Sequence, residues 1–186
     1  TSYDLRMNLA LGTKILLRAG ILLSLVAYLV IVDLGVNAGR VHRGVAVDGI
    51  EIGGLTRGEA TRLLKDRATQ LRTGEIEFGA KGLRFGFVPK RLGWWGGVEN
   101  TVDEAWDVGR AGAPLGAMAT RARAWTRGVR LEWAGRPRPW KVTQAIDRVE
   151  KKVEESGYEL RRYKFRSKIR RAILTWPRER LRLPIR

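Results

Sequence analysis

The stretch from Ala19 to Ala38 constrains this chain more than any other. Ala19-Gly-Ile-Leu-Leu-Ser-Leu-Val-Ala-Tyr-Leu-Val-Ile-Val32 runs on through Leu34, Gly35 and Val36, and its one charge is Asp33, near the far end. A hydrocarbon slab of about 30 Å needs roughly 20 helical residues to cross it. Inside that slab a backbone satisfies its own polar groups only as a helix or a closed barrel, so the stretch reads as a transmembrane helix. Arg18 and Asp33 sit at opposite ends, where a charge reaches the headgroups more cheaply than at the centre. A buried helix of a soluble protein is rarely apolar on every side for this length. A secretory leader is the serious competitor, because Lys14 and Arg18 precede the apolar core and Val36-Asn37-Ala38 would serve as a cleavage site. The chain retains the segment from Thr1 onward, which favours a single-pass anchor. Thr1 fits either loss of an initiator methionine or a start inside a longer chain.

What remains suffices for one ordinary domain or two very small ones. The apolar fraction of 44% suits a folded chain. With no cysteine, a disulfide framework, a thiolate nucleophile and a zinc-thiolate site are excluded. His42 is the single histidine, which excludes a histidine metal cluster; no cofactor or metal is expected. The net charge of +17 is unevenly spread, since residues 160–186 carry eleven Lys or Arg against Glu179 alone. Such a field favours anionic partners. Nucleic acid, membrane lipid headgroups and acidic wall polymers all qualify on charge. Orientation is not settled by charge either, because Arg6, Lys14 and Arg18 before the span are nearly balanced by Arg40, Arg43 and Arg57 after it.

Beyond the span the pattern alternates between strands and helices. Asp48-Gly49 between Val45, Val47 and Ile50, Ile52 signals a tight hairpin turn. Thr56-Arg-Gly-Glu59 is a capping box, and Ala60, Leu63, Leu64, Arg67 and Leu71 form a stripe that predicts a helix over 57–72. Residues 75–78 and 83–87 alternate with period two around a four-residue loop from Gly79 to Gly82. Leu92 to Gly97 reads as a glycine-flanked loop, Val98 to Gly109 as a second helix, and Ala111 to Gly116 as loop. Val129, Leu131 and Trp133 alternate as a strand. Val142, Ala145, Ile146, Val149 and Val153 mark a third helix, and Phe165, Ile169, Ala172, Ile173 and Trp176 a fourth, stopped by Pro177. Leu181, Leu183 and Ile185 read as a closing strand. The expected fold is α+β: one N-terminal transmembrane helix, then a small domain of antiparallel hairpins with about four packed amphipathic helices.

Gly44-Val-x-Val-Asp-Gly-Ile-x-Ile-Gly-Gly-Leu-Thr-x-x-Glu-Ala60, just past a single span, resembles the opening of the peptidoglycan-binding-type domain that precedes VanW-like and L,D-transpeptidase domains in bacterial envelope proteins. The similarity continues at Leu92-Gly93, at Ala105 with Val108-Gly109-Arg110-Ala111-Gly112, and more loosely through Gly157-Tyr-Glu-Leu160 and Leu181-Arg-Leu-Pro184. The resemblance implies a domain outside a bacterial cell membrane and an amino terminus in the cytoplasm, which would exclude nucleic acid as the natural partner. It divides the chain into a cytoplasmic or interfacial segment (residues 1–14), the span (15–38) and an extracytoplasmic domain (39–186). Trp94-Trp95-Gly96-Gly97 departs from the family, where a less aromatic turn is expected, and so does the heavy carboxy-terminal basicity. No transpeptidase or VanW-like domain is expected, and transpeptidase chemistry needs a cysteine that the chain lacks.

Trp94 and Trp95 are the candidates for stacking on a sugar face, since an indole offers flat apolar area with a donor at its edge; core packing or contact with the bilayer surface is the reading set against it. Arg110 joins them as a ligand-binding candidate; Trp125 and Trp140 are read either as core or as contact surface. Arg161, Arg162, Lys164, Arg166, Lys168, Arg170 and Arg171 flank the fourth stripe without an acid among them, and read as an anionic-surface patch. Asp103, Glu104 and Asp107 read as a solvated face and His42 as an exposed residue. Two functions follow. One is a non-catalytic, membrane-anchored envelope protein that binds or is positioned against peptidoglycan or an anionic wall polymer. The other is an accessory subunit of an integral membrane complex, packed through its span and capping the outer face. A truncated enzyme lacking its catalytic domain is a third reading.

Overall fold

The computed structural model describes residues 2–174 and 180–186, and divides into two units, Thr1–Gly39 and Arg40–Arg186. The first is one helix, α1 (Ser2–Val36). Its portion Leu16–Val36, 21 residues with a mean hydropathy of 2.3, is long and apolar enough to cross a membrane; at 1.5 Å per residue it is about 32 Å long. The helix stops at Val36, two residues before the expected end. The Asn37 amide donates to the Asp33 carbonyl (2.9 Å) and carboxylate (3.0 Å), satisfying an orphan carbonyl of the last turn.

The second unit is α+β. Strand β1 (Val45–Val47) turns through Asp48 and Gly49 into β2 (Ile50–Glu51). Both turn residues have positive φ (44° and 84°), as a two-residue hairpin loop matched to strand twist requires. Helix α2 (Arg57–Thr73) follows with the expected capping box: the Glu59 N–H donates to Thr56 Oγ1 (3.3 Å), and the Thr56 N–H donates to Glu59 Oε2 (2.8 Å). Its buried seam is Ala60, Leu64, Ala68 and Leu71, while Leu63 stays 40% exposed.

Strands β3 (Ile76–Ala80) and β4 (Leu83–Phe87) form the second hairpin. Its loop is two residues, Lys81 and Gly82 with φ of 49° and 82°, and not the four expected. Pairing runs to Ala80 opposite Leu83, so Gly79 and Ala80 remain in the ladder. Helix α3 (Val98–Asp107) matches the second helical stripe. Helix α4 (Pro114–Arg127) begins inside the Ala111 to Gly116 stretch that the Gly and Pro content marked as loop, and runs on through residues with no expected element. Pro114 stands at the start of a helix, where its missing N–H costs nothing and its fixed φ suits the first turn.

Strand β5 (Val129–Leu131), helix α5 (Pro139–Glu155), helix α6 (Arg162–Leu174) and strand β6 (Leu181–Arg182) complete the unit. Trp176 and Pro177, read as the end of the fourth helix, lie outside the described residues. The sheets correct the expectation of antiparallel hairpins alone. One has the order β2-β1-β5 and the other β4-β3-β6, and in each the third strand joins in parallel. Parallel neighbours need a long crossover, which helices supply. β1 is therefore a central strand, and Val45, Ala46 and Val47 are all buried.

Phe78, Phe87 and Phe165 meet edge to face with centroids 5.0–5.8 Å apart, locking α6 onto the second sheet. Val142, Ala145, Ile146, Val149 and Val153 of α5 join the same core.

The capping box generates a pH prediction. Thr56 holds the Glu59 carboxyl below its ordinary 4.5, first through its backbone N–H and then through its hydroxyl. A depressed carboxyl contributes stability above its unfolded pKa and loses it as pH falls through the folded value. Glu59→Gln is expected to unfold at lower urea than the parent at neutral pH. That gap should close as pH drops from the ordinary carboxylate value through the folded one. Thr56→Ala should cost about 1 kcal/mol.

Candidate functional site

The structure separates the two tryptophans that the sequence places together. Trp94 is 1% exposed, packs edge to face on Trp133 at 5.9 Å, and donates through Nε1 to the Gly135 carbonyl (3.2 Å). It is core, which is one of its two readings, and it offers no face for a sugar. The cause is a close approach of two distant loops. The Gly135 N–H donates to the Gly96 carbonyl (3.0 Å), and the Arg138 N–H to the Leu92 carbonyl (3.0 Å). The Thr101 hydroxyl donates to the Gly97 carbonyl (2.8 Å) and accepts from the Ala134 N–H (3.0 Å). A Cβ on Gly97 would lie 2.5 Å from Gly135 N, and Gly97 has φ of 68°, so only glycine fits there. Trp95 points out, 54% exposed, and lines neither of the two grooves described below.

Arg110 is likewise committed within the fold. Its guanidinium lies 4.3 Å from the Trp106 ring centroid, donates to the Trp106 carbonyl (2.6 Å), and donates through Nη2 to the Arg40 carbonyl. Arg57 approaches the same ring at 5.8 Å and pairs with Asp103. These arginines clasp α3, and Arg110 lines neither of the two grooves described below. His42 is buried at 2%, not exposed: its Nδ1 lies 3.0 Å from the Arg43 carbonyl, and its ring meets Trp125 edge-on at 6.5 Å. A Cβ on Gly109 would lie 2.7 Å from Cγ of Arg121, whose Nε donates to the Gly109 carbonyl (2.7 Å), and 3.4 Å from His42 Cδ2.

The seven cations, Arg161 just before α6 and six within it, divide by helical spacing. Arg162 turns toward α5 and pairs with Asp147 (2.6 Å) and Glu150, and the Asp147 hydrogen bond is the largest influence raising its pKa. Lys168 donates to the Arg182 carbonyl (2.7 Å), which ties it to β6. Arg161 and Lys164, both exposed, fall on the same flank as Lys168 and Arg171. Arg166 and Arg170 fall on the opposite flank with Tyr163, which is 84% exposed.

That second flank is one wall of a groove of 440 Å³, closed on the other side by Arg136, Pro137, Pro139 and Val142. The Arg166 Nη2 donates to Thr143 Oγ1 (3.0 Å), which fixes one guanidinium across the gap, and Arg136 pairs with Glu132 (3.1 Å). Arg170 meets no carboxylate among the described residues. Two guanidinium forks beside a phenol ring suit an oxyanion attached to a ring or chain. Arg166 and Arg170 are therefore the patch residues that the structure gathers into a site, and Tyr163 is the member that sequence reasoning missed. Its spacing of three and seven residues from them was the available signal.

A larger groove, 740 Å³, lies between β4 and α5. Arg84, Arg91, Trp140, Lys141 and Arg148 line it, none of them a sequence candidate for ligand binding except Trp140 as an open question. Trp140 is 59% exposed, with Lys141 Nζ 5.4 Å from its ring centroid. Lys141, Arg148 and Lys152 recur at helical spacing, which marks a cationic face, but the strand wall comes from a distant part of the chain. Among the described residues no three His, Asp or Glu side chains converge as metal ligands would. No family model matches this chain, and comparison with curated proteins and with solved structures finds no match.

Trp94→Ala is expected to cost about 3–5 kcal/mol in chemical denaturation, as removal of a buried aromatic does. Trp95→Ala should stay within about 0.5 kcal/mol of the parent. Equal losses would contradict the separation of the two rings.

Proposed function

We propose that this chain is a non-catalytic, single-pass protein of a bacterial cell envelope whose folded unit holds an anionic wall polymer. The observation that carries the reading is the α6 flank, where Tyr163, Arg166 and Arg170 share a groove with Arg136. Linear polymers with repeated phosphate or carboxylate groups present the oxyanions that such a flank recognises. Three features support the setting: the apolar helix Leu16–Val36, the net charge of +17, and the likeness of Gly44 to Ala60 to an envelope domain. In this reading α1 stays in the lipid, the amino terminus is cytoplasmic, and residues 39–186 face outward.

The cationic groups act together. Each charge-assisted hydrogen bond contributes about 1.5–3 kcal/mol in favourable geometry, and exposure to salt and water brings an open site below that range. Several contacts along a polymer then multiply through proximity.

Retention of the full chain, in mild detergent, on purified wall fragments tests the proposal. Arg166→Glu with Arg170→Glu is expected to reduce retention roughly tenfold or more, which corresponds to about 1.4 kcal/mol or more. Stripping phosphate-bearing polymer from the fragments should do the same. Retention no greater than that of a charge-matched basic protein would refute it. Protease access to tags at the two ends, in intact cells, checks the orientation.

A further inference from the structure

Strand β4 is an outer strand; among the described residues its one neighbour is β3. Ala80 and Leu83 close the Lys81-Gly82 turn, so they form the hydrogen-bonded pair nearest the loop. Alternation along an antiparallel ladder then leaves Arg84 and Gly86 at non-bonded positions. Their N–H and C=O groups point away from β3, and no other described segment bonds them. Both residues line the 740 Å³ groove whose far wall is α5. β4 runs five residues, about 17 Å at the usual rise. The floor is apolar, formed by Phe85, Phe87, Ala145 and Val149, and six cations face two acids around the rim.

We infer that this groove receives an extended acidic peptide segment of a partner protein, laid along β4 as an added strand. An outer strand beside a helix is the geometry of strand addition, in which main-chain bonds give affinity and alternate side chains give specificity. A sugar-phosphate polymer offers acceptors to the two open N–H groups but few donors matched to the two open carbonyls, whereas a peptide backbone offers both at the right spacing. A second copy of this chain is disfavoured, because Arg84 on each edge would bring like charges together. The cationic rim selects an acidic sequence instead, with Arg148 and Lys152 on α5 facing its carboxylates. Glu75 is the opposing charge: Gly86 has no side chain, and a Cβ there would lie 1.8 Å from Glu75 Oε1. This inference stands apart from the α6 site, since the two grooves share no lining residue.

Amide hydrogen exchange of the full chain in detergent tests it. The probe is a six-residue peptide of alternating glutamate and valine, blocked at both ends, at about 1 mM, the weak end of specific recognition. Exchange at Arg84 and Gly86 is expected to slow about twofold for a Kd of about 1 mM, and further as the peptide is raised. The same peptide N-methylated at alternate residues should leave exchange unchanged, as should linear polyphosphate. Arg148→Glu with Lys152→Glu should abolish the protection, and Glu75→Gln should deepen it. No slowing by the acidic peptide would overturn the inference. Equal slowing by the N-methylated peptide or by polyphosphate would also overturn it, by showing that charge alone fills the groove.

Discussion

Two strands of two to five residues do not hold themselves together in water. Both hairpins of this protein therefore depend on a third strand that arrives from far along the chain. Val129–Leu131 pairs with β1, and Leu181–Arg182 pairs with β3, each in parallel. The choice of parallel pairing governs the rest. A strand that returns in the same direction must cross over, and the crossover deposits α2, α3 and α4 between β1 and β5, and α3 to α6 between β3 and β6. Those helices bury the sheets and carry the aromatic contacts that join them. Removing the last strand would thus leave β3 with a single neighbour and take away the Arg182 carbonyl that Lys168 of α6 donates to.

Local chemistry was legible wherever neighbours in sequence are neighbours in space. Asp48-Gly49 announces its turn because few residues tolerate positive φ. Thr56 and Glu59 announce the start of α2, and the 142–153 stripe announces the buried face of α5. The apolar run of α1 needs no tertiary context at all. What could not be read depends on meetings between distant segments. Trp94 is indistinguishable from Trp95 until Gly135 closes over one of them. His42 looks exposed until Trp125 arrives from α4. Parallel partners leave no local mark, and Pro114 carries the same letter whether it breaks a loop or opens a helix.

The candidate site follows the same division. Seven cations in a row look like one patch, yet 100° per residue scatters them, and neighbouring elements claim several. Arg162 is taken by α5 and Lys168 by β6. What remains on the open flank is a smaller and more specific set. The groove beside β4 was hidden for a further reason: half of it is main chain, and open amides have no signature in a sequence. The indole of Trp133 adds a donor that is buried with no hydrogen-bond partner among the described residues, so polar satisfaction in the Trp94 cluster is uneven.

The clasp around Arg40 has a mechanical consequence. Arg40 is the first residue of the folded unit, and it is bridged to Thr56 while its carbonyl is held by Arg110. Val41 next to it donates its N–H to Leu55 (2.7 Å) and receives one from Gly54 (2.8 Å). Freeing the segment that opens this unit therefore breaks several bonds together instead of one by one.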